Sequence, residues 1–265
     1  MNIYCCQTDS KWEDKLSNFE DLTHLLLKTE LIRGSLIVLP EIFATGFSMD
    51  FSAGAESPSD SPTIRFLIEL AQDKGCAILA GLVTDRDDTL ANEAILIDSN
   101  GKLVSNYAKI HPFTSSGEGK VGTTGSWVRT LPLNDSTMAP FVSKDLRFPE
   151  LFRLATPEAE LLIVLTNWPS SHVKHWVSLL KAHAIESQAY VIGANRVDSD
   201  PHASLPGHSL IIDPAGNVLA ESGVPAGIIS AQLGLDTISE WRSEFPINQN
   251  HRNSVELGTP QVSVA

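Results

Sequence analysis

Three polar residues stand just past apolar runs. Glu41 follows LIVLP, Lys109 follows LVSNYA, and Ser143 follows APFV. In open α/β sheets ligands gather at the carboxyl ends of strands, so a carboxylate, an ammonium and a hydroxyl placed this way could converge on one pocket. Taken singly, each has an ordinary structural explanation: a helix cap or surface charge, a solvated lysine, a turn hydroxyl. Ser143 lies at the mouth of the turn in FVSKDLRFPELF, residues 141–152. It is read as a nucleophile, as a structural hydroxyl, or as a position where the expected reactive atom is missing. A serine nucleophile needs a well-placed base, often histidine. Glu41 would have to deprotonate it unaided unless His111 or His175 lies close. Ser209, in GHSLI, lacks the closing glycine of a nucleophile elbow and is read as an ordinary strand residue.

The elements that must position these groups alternate along the chain. NIYCCQ reads as a first strand, and 18–30 has helical spacing at Phe19, Leu22, Leu25 and Leu26. SLIVLPE and CAILAGLV are continuous apolar runs, the pattern of strands buried on both faces. Between them, 61–75 predicts a helix capped by Ser61, with Pro62 in its first turn and Gly75 at its end. EAILID and KLVSNYAK flank the turn SNG as a hairpin, and 111–138 is less regular. APFVS and LLIVLT flank a short helix near 148–155; 171–189 predicts a longer one with Val173, Trp176, Leu180 and Ala184 on one side. YVIGAN, a second hairpin around PAGN, the late strand AGIISAQL and the amphipathic LDTISEWRSEF complete the pattern. Strands and helices with two interleaved hairpins imply an α/β protein with mixed sheets. One domain over 1–265 is expected, with a polar tail from about 246.

The chain has 32 acidic and 19 basic residues, a formal charge of −13. Such a field argues against a nucleic-acid or anionic-membrane partner. The first residues lack the basic start and long apolar run of a signal peptide, and no segment is apolar enough to span a bilayer. Cys5 and Cys6 point to opposite strand faces, and with Cys76 they show no disulfide or zinc spacing. Reduced, buried, inert thiols and a cytoplasmic location are expected, with no metal or cofactor.

LPEIFATGF, YAKIHPF and DLRFPELFR, in that order and spacing, resemble the nitrilase superfamily of carbon–nitrogen hydrolases across nearly the whole chain. TNWPSS followed by HW, and the later ANRV, are most similar to its ω-amidase branch. The resemblance implies a four-layer αββα sandwich with mixed sheets. It implies hydrolysis of small ω-amides of 2-oxo-dicarboxylic acids, such as 2-oxoglutaramate, by a Glu–Lys–Cys triad. Carried onto this chain, the glutamate is Glu41 and the lysine Lys109. The nucleophile's place, two residues before the Asp of DLRFP, is taken by Ser143. Lys109 and the N–H of Lys144 would hold the oxyanion, and Glu41 would shuttle protons. Glu118 resembles a second family glutamate that positions substrate and supports Lys109. Trp168 is expected to line the pocket or to pack in the core, Asp145 to cap the turn, and Arg147 to brace it by ion pairing. Lys144 stands where the family usually has an uncharged residue, and 119–138 does not match the branch.

Three readings follow. The chain is an amidase whose cysteine has been replaced by serine, a natural amidase-like protein that binds a ligand or partner without cleaving it, or a serine-dependent hydrolase. Survival of Glu41, Lys109, Glu118 and the DLRFP turn favours the first. Family members pair through the helices after the nucleophile turn and after NWP. Trp176, Val177, Leu179 and Leu180 cover more of the second helix than one core face needs, which predicts a homodimer.

Overall fold

The continuous apolar runs form strands with both faces covered. A computed structural model describes residues 1–48, 50–52, 54–86, 89–113, 118, 124–199 and 204–247, with the side chains of 198 and 199 excepted. In the first sheet β1 (Asn2–Gln7), β2 (Leu36–Val38) and β3 (Ala77–Asp85) run parallel. The hairpin β4 (Leu90–Ile97) and β5 (Leu103–Ala108) continues it antiparallel. The second sheet repeats this plan. β6 (Leu131–Leu133) pairs antiparallel with β7 (Ser136–Val142), which runs parallel to β8 (Leu161–Leu165) and β9 (Tyr190–Ala194). A separate small hairpin joins β10 (Val197–Ser199) to β11 (Ser204–Pro206). The hairpin of β12 (Leu210–Ile212) and β13 (Val218–Glu221) closes the second sheet beyond β9, and β14 (Gly227–Gln232) returns to pair antiparallel with β1.

Strand alternation sorts the side chains into layers. Cys5, Leu36, Val38 and Leu79 face the second sheet and pack with Phe141 and Ile163; Cys5 Sγ lies 3.7 Å from the Gly193 carbonyl of β9. Their neighbours Tyr4, Cys6, Ile37 and Ile78 face outward. There they meet Phe19, Leu22 and Leu26 of α1 (Lys15–Leu27) and Ile64, Leu67 and Leu70 of α2 (Pro62–Lys74). α3 (Pro149–Ala155) and α4 (Val173–Ser187) cover the second sheet, giving the layers α-β-β-α. α5 (Asp236–Glu244) is pinned by Arg242, which donates to the carbonyls of Ala159, Ser187 and Gln188.

Local signals act as their chemistry requires. The Ser61 hydroxyl accepts from the Ile64 N–H at 2.9 Å, and Gly75 ends α2 with φ +60°. A cap of this kind is worth about 1 kcal/mol.

One expectation about α4 is corrected. Trp176 and Leu180 are fully buried, and Val177 and Leu179 pack partly buried against the same core. All four therefore contact this chain's own core, Val177 and Leu179 with part of their surface left exposed. The large apolar side chains that do stand out on these helices are Leu154, 70% exposed, and Ile185, 51% exposed. Residues 248–265 of the polar tail, and 119–123 of the segment that departs from the ω-amidase pattern, lie outside the described residues.

Candidate active site

Glu41 begins a turn directly after β2, and the turn lies flat on β3. The Phe43 N–H donates to the Gly81 carbonyl, and the Gly81 N–H donates to the Pro40 carbonyl. A Cβ on Gly81 would stand 2.6 Å from Glu41 Cα, so only glycine lets the two backbones approach. Lys109 follows β5 and is held to β4 by its N–H, which donates to the Asn92 carbonyl at 2.9 Å. These two strand ends bring the carboxylate and the ammonium together.

Lys109 Nζ lies 3.0 Å from Glu41 Oε1 and 3.0 Å from Glu118 Oε2. Asn92 completes the cluster: its Nδ2 donates to Glu41 Oε1 at 2.7 Å and to Glu118 Oε1 at 3.0 Å. Glu118 Oε2 also accepts the Phe113 N–H at 2.8 Å. Burial works against every charge here. For Glu41 burial wins, and its pKa is raised despite the pull of Lys109. For Lys109 burial would lower the pKa, but the two carboxylates outweigh it and the net shift is upward. An ammonium has three N–H donors. Two go to the glutamates, which leaves one for a ligand oxygen. Glu41 Oε2 carries no hydrogen bond among the described residues, so this oxygen is the one placed to take a proton.

Ser143 opens the turn after β7 with φ +50°, a conformation uncommon for any residue but glycine. The turn is a single 3-10 segment over 143–147. The Lys144 N–H lies in its first turn, where backbone donors have no partner within the helix. The Lys144 side chain reaches away to the Pro112 carbonyl at 3.3 Å. Asp145, wholly buried, caps the turn as the sequence suggests by accepting the Val142 N–H. It also accepts the Tyr107 hydroxyl at 2.9 Å and the N–H groups of Ile110 and His111. One carboxylate thus ties the Ser143 turn to the chain on both sides of Lys109, through the Tyr107 hydroxyl before it and the backbone N–H groups of Ile110 and His111 after it.

A second fastening comes from the end of β8. Thr166 Oγ1 donates to Ser143 Oγ at 3.2 Å, and Asn167 Nδ2 donates to the Glu41 carbonyl at 3.1 Å. Three segments distant in sequence are so drawn to one place. Ser143 Oγ has no direct hydrogen bond to Glu41 or Lys109. Nor do the histidines help: His111 stacks on Phe148 and points Nδ1 at Asp145, while His175 Nδ1 faces Arg147 at 3.4 Å.

Arg147 departs from expectation. It has no carboxylate partner among the described residues; its guanidinium lies 4.5 Å from the centroid of the Trp168 ring. Stacking on an aromatic face takes the place of an ion pair. Trp168 is 5% exposed and packs with Trp176 at a centroid separation of 5.8 Å, in the core arrangement that was its alternative reading. Its backbone is gripped on both sides by the Asn195 amide, which accepts from the Trp168 N–H and donates to its carbonyl. Sequence reading missed Asn92 and Thr166. A signal existed for Asn92, which with Glu93 interrupts an otherwise apolar β4; for Thr166 the only one was its position directly ahead of NWP.

No thiol substitutes for Ser143. All three cysteines are free and buried. Burial raises the pKa of each, that of Cys6 to about 12. Among the described residues no group of His, Cys, Asp and Glu side chains could hold a metal ion, and no helix is long and apolar enough to cross a membrane.

Two mixed sheets back to back between helices define the α/β architecture of the nitrilase superfamily, and here Glu41 and Lys109 meet Glu118 at the ends of β2 and β5. The carbon–nitrogen hydrolase family model matches residues 3–243, and the chain belongs to that family. It is 34% identical over 255 residues to the 2-oxoglutaramate amidase of Paenarthrobacter nicotinovorans, covering 92% of this chain and 85% of that one. Against the 2-oxoglutaramate amidase of Bacillus subtilis the identity is 31%, covering 96% and 98%. The crystal structure of a CN-hydrolase superfamily protein from Xanthomonas campestris superposes with a TM-score of 0.88 at 26% identity, covering 97% of this chain and 99% of that one. A Saccharomyces cerevisiae member of branch 10 of the nitrilase superfamily shares the fold with a TM-score of 0.83 at 24% identity, covering 93% and 94%.

Proposed function

We propose that this chain is an amidase-type scaffold for small ω-amides of 2-oxo-dicarboxylic acids, the 2-oxoglutaramate class, and that Ser143 leaves it with little or no turnover. The observation that carries the reading is the buried Glu41–Lys109–Glu118 cluster fastened beside the Ser143 turn. The relatives named for 2-oxoglutaramate supply the substrate class.

In this reading the atom at position 143 attacks the amide carbon and gives its proton to Glu41 Oε2. The oxyanion takes the remaining Lys109 N–H and the N–H of Lys144. Collapse breaks the C–N bond; Glu41 returns the proton, and ammonia leaves. Glu41 then takes a proton from water, and the hydroxide attacks the acyl carbon. The bond to the atom at 143 breaks, and Glu41 returns the proton to that atom as the product acid leaves as carboxylate. Glu118 and Asn92 keep Glu41 and Lys109 in place. A thiol ionises far more readily than a serine hydroxyl. With no histidine hydrogen-bonded to Ser143 among the described residues, the first half of this sequence stalls.

The test is Ser143→Cys. Ammonia release from 2-oxoglutaramate should rise by about 10³-fold or more over the parent chain. A folded variant that releases no more ammonia than the parent, across a panel of ω-amides, refutes the reading. A second reading, a natural ligand-binding protein of the same fold, draws on the engagement of Ser143 Oγ with Thr166 rather than with a base. It requires that the parent bind an amide in calorimetry while Ser143→Cys stays inert.

The reading carries with it a single catalytic domain over 1–265, a cytoplasmic setting and no nucleic-acid or membrane partner. A homodimer is part of it, supported by exposed Leu154 and Ile185 on α3 and α4. A monomer mass in light scattering at micromolar concentration would remove that element.

A further inference from the structure

Among the described residues Ser143 Oγ has one hydrogen-bond partner, and it is a side chain that the reaction scheme above does not use. Thr166 Oγ1 donates to it at 3.2 Å. Thr166 is wholly buried, and its N–H is anchored to the Ala194 carbonyl at 2.9 Å. A β-branched side chain on a fixed backbone has few rotamers to choose from, so the donor is aimed before any ligand arrives. The next residue, Asn167, holds the Glu41 carbonyl. Adjacent positions at the end of β8 therefore touch the nucleophile position and the backbone of the base.

We infer that Thr166 is a positioning residue that orients the reacting atom at position 143 and favours its ionised form. This rests on the reading of 143 as the nucleophile position. A hydroxyl oxygen has two lone pairs and one proton. Thr166 occupies one lone pair, which leaves the other for attack and the proton for a base. For a sulfur in the same place the consequence is larger. A donor aimed at the atom that becomes charged stabilises the thiolate over the thiol and lowers the thiol pKa. The Lys109 ammonium is already shared between two carboxylates. Thr166 thus supplies stabilisation that the cation alone does not.

The experiment measures ionisation without needing turnover. The rate of iodoacetamide alkylation is followed against pH in Ser143→Cys, in Ser143→Cys with Thr166→Val, and in Ser143→Cys with Thr166→Ser. The parent chain supplies the background from its three buried cysteines. The alkylation midpoint should rise by about one pH unit with Thr166→Val, which keeps the shape and removes the donor. It should stay within a few tenths with Thr166→Ser, which keeps the donor. Thr166→Ala replaces the valine variant if that variant's circular dichroism is not native. A midpoint unmoved by loss of the hydroxyl overturns the inference, as does an equal shift in the valine and serine variants, which would trace the effect to packing. An alkylation profile as expected in a protein that hydrolyses no amide would sink the proposed function and leave Thr166's role standing.

Discussion

Lys109 Nζ lies 3.0 Å from Glu41 Oε1 in a space almost closed to solvent; the two side chains expose 2% and 1% of their surface. Glu118 adds a second carboxylate to the same ammonium, so one positive charge serves two negative ones. Burial, and with it the neighbouring Glu118 carboxylate, raises the pKa of Glu41 against the pull of Lys109, so this carboxylate holds a proton more tightly than usual. That property suits a group that must accept a proton and return it.

The first prediction concerns pH and activity. In Ser143→Cys the acid limb of kcat/KM should lie above the ordinary glutamate value of about 4.3, because Glu41 must be ionised to act and its pKa is raised. Adding Glu118→Gln removes a like charge from beside Glu41. The acid limb should then move to lower pH. Rate profiles between pH 4 and 8 check both; a limb that moves upward contradicts the assignment.

Removing the cation should be costly. Lys109→Met leaves two carboxylates facing each other without a counterion, a change of about 3–5 kcal/mol at pH 8. The loss should shrink on acidification. Without Lys109, Glu41 loses the partner that holds its already raised pKa down, so the folded state would bind a proton there more readily than the unfolded chain and gain stability as pH falls. Urea midpoints at pH 8 and pH 5.5 would show the difference between parent and variant narrowing.

Gly81→Ala tests the seat of Glu41. The added methyl would meet Glu41 Cα at 2.6 Å and the Ile42 nitrogen at 2.8 Å, both backbone atoms that cannot rotate away. The expected cost is about 1–3 kcal/mol. Any activity present in Ser143→Cys should fall more than tenfold, because small displacements of a reacting group are amplified in rate. Chemical denaturation and ammonia release read the two effects separately.

His183 gives the chain a pH-sensitive brace. Its Nε2 lies 3.0 Å from the Leu146 carbonyl in the Ser143 turn, and its ring stacks on Phe152 of α3. Burial lowers its pKa, outweighing the pull of that carbonyl and of Glu186. The folded state therefore keeps His183 neutral while the unfolded chain takes up a proton below about pH 6.5. Its contribution is complete above that value and is lost as pH falls toward the depressed folded pKa, with a slope of at most about 1.4 kcal/mol per pH unit. His183→Gln should flatten the loss between pH 7.5 and 5.5 relative to the parent in urea titrations.

By itself the sequence determined most of the elements, though not β6, β10 or β11, and it named the candidate triad. Apolar runs such as Leu36–Val38 are too short and too uniformly hydrophobic for anything but a covered strand. Ser61, Pro62 and Gly75 state where α2 begins and ends, because capping is local chemistry within a few residues. Glu41, Lys109 and Ser143 were legible as polar residues at strand ends and in family words. The tertiary structure decided what local signals do not carry. Asn92 bridges Glu41 and Glu118 across 51 and 26 residues, and Thr166 reaches Ser143 across 23. Trp168 and Arg147 stack on each other because β8 and the Ser143 turn are packed together, a contact that neither segment implies alone. The apolar stripe of α4 is shared with this chain's own core, which covers Trp176 and Leu180 fully and Val177 and Leu179 in part. The raised pKa of Glu41 likewise depends on desolvation and on a second carboxylate 77 residues away, and a sequence contains neither until the chain has closed around them.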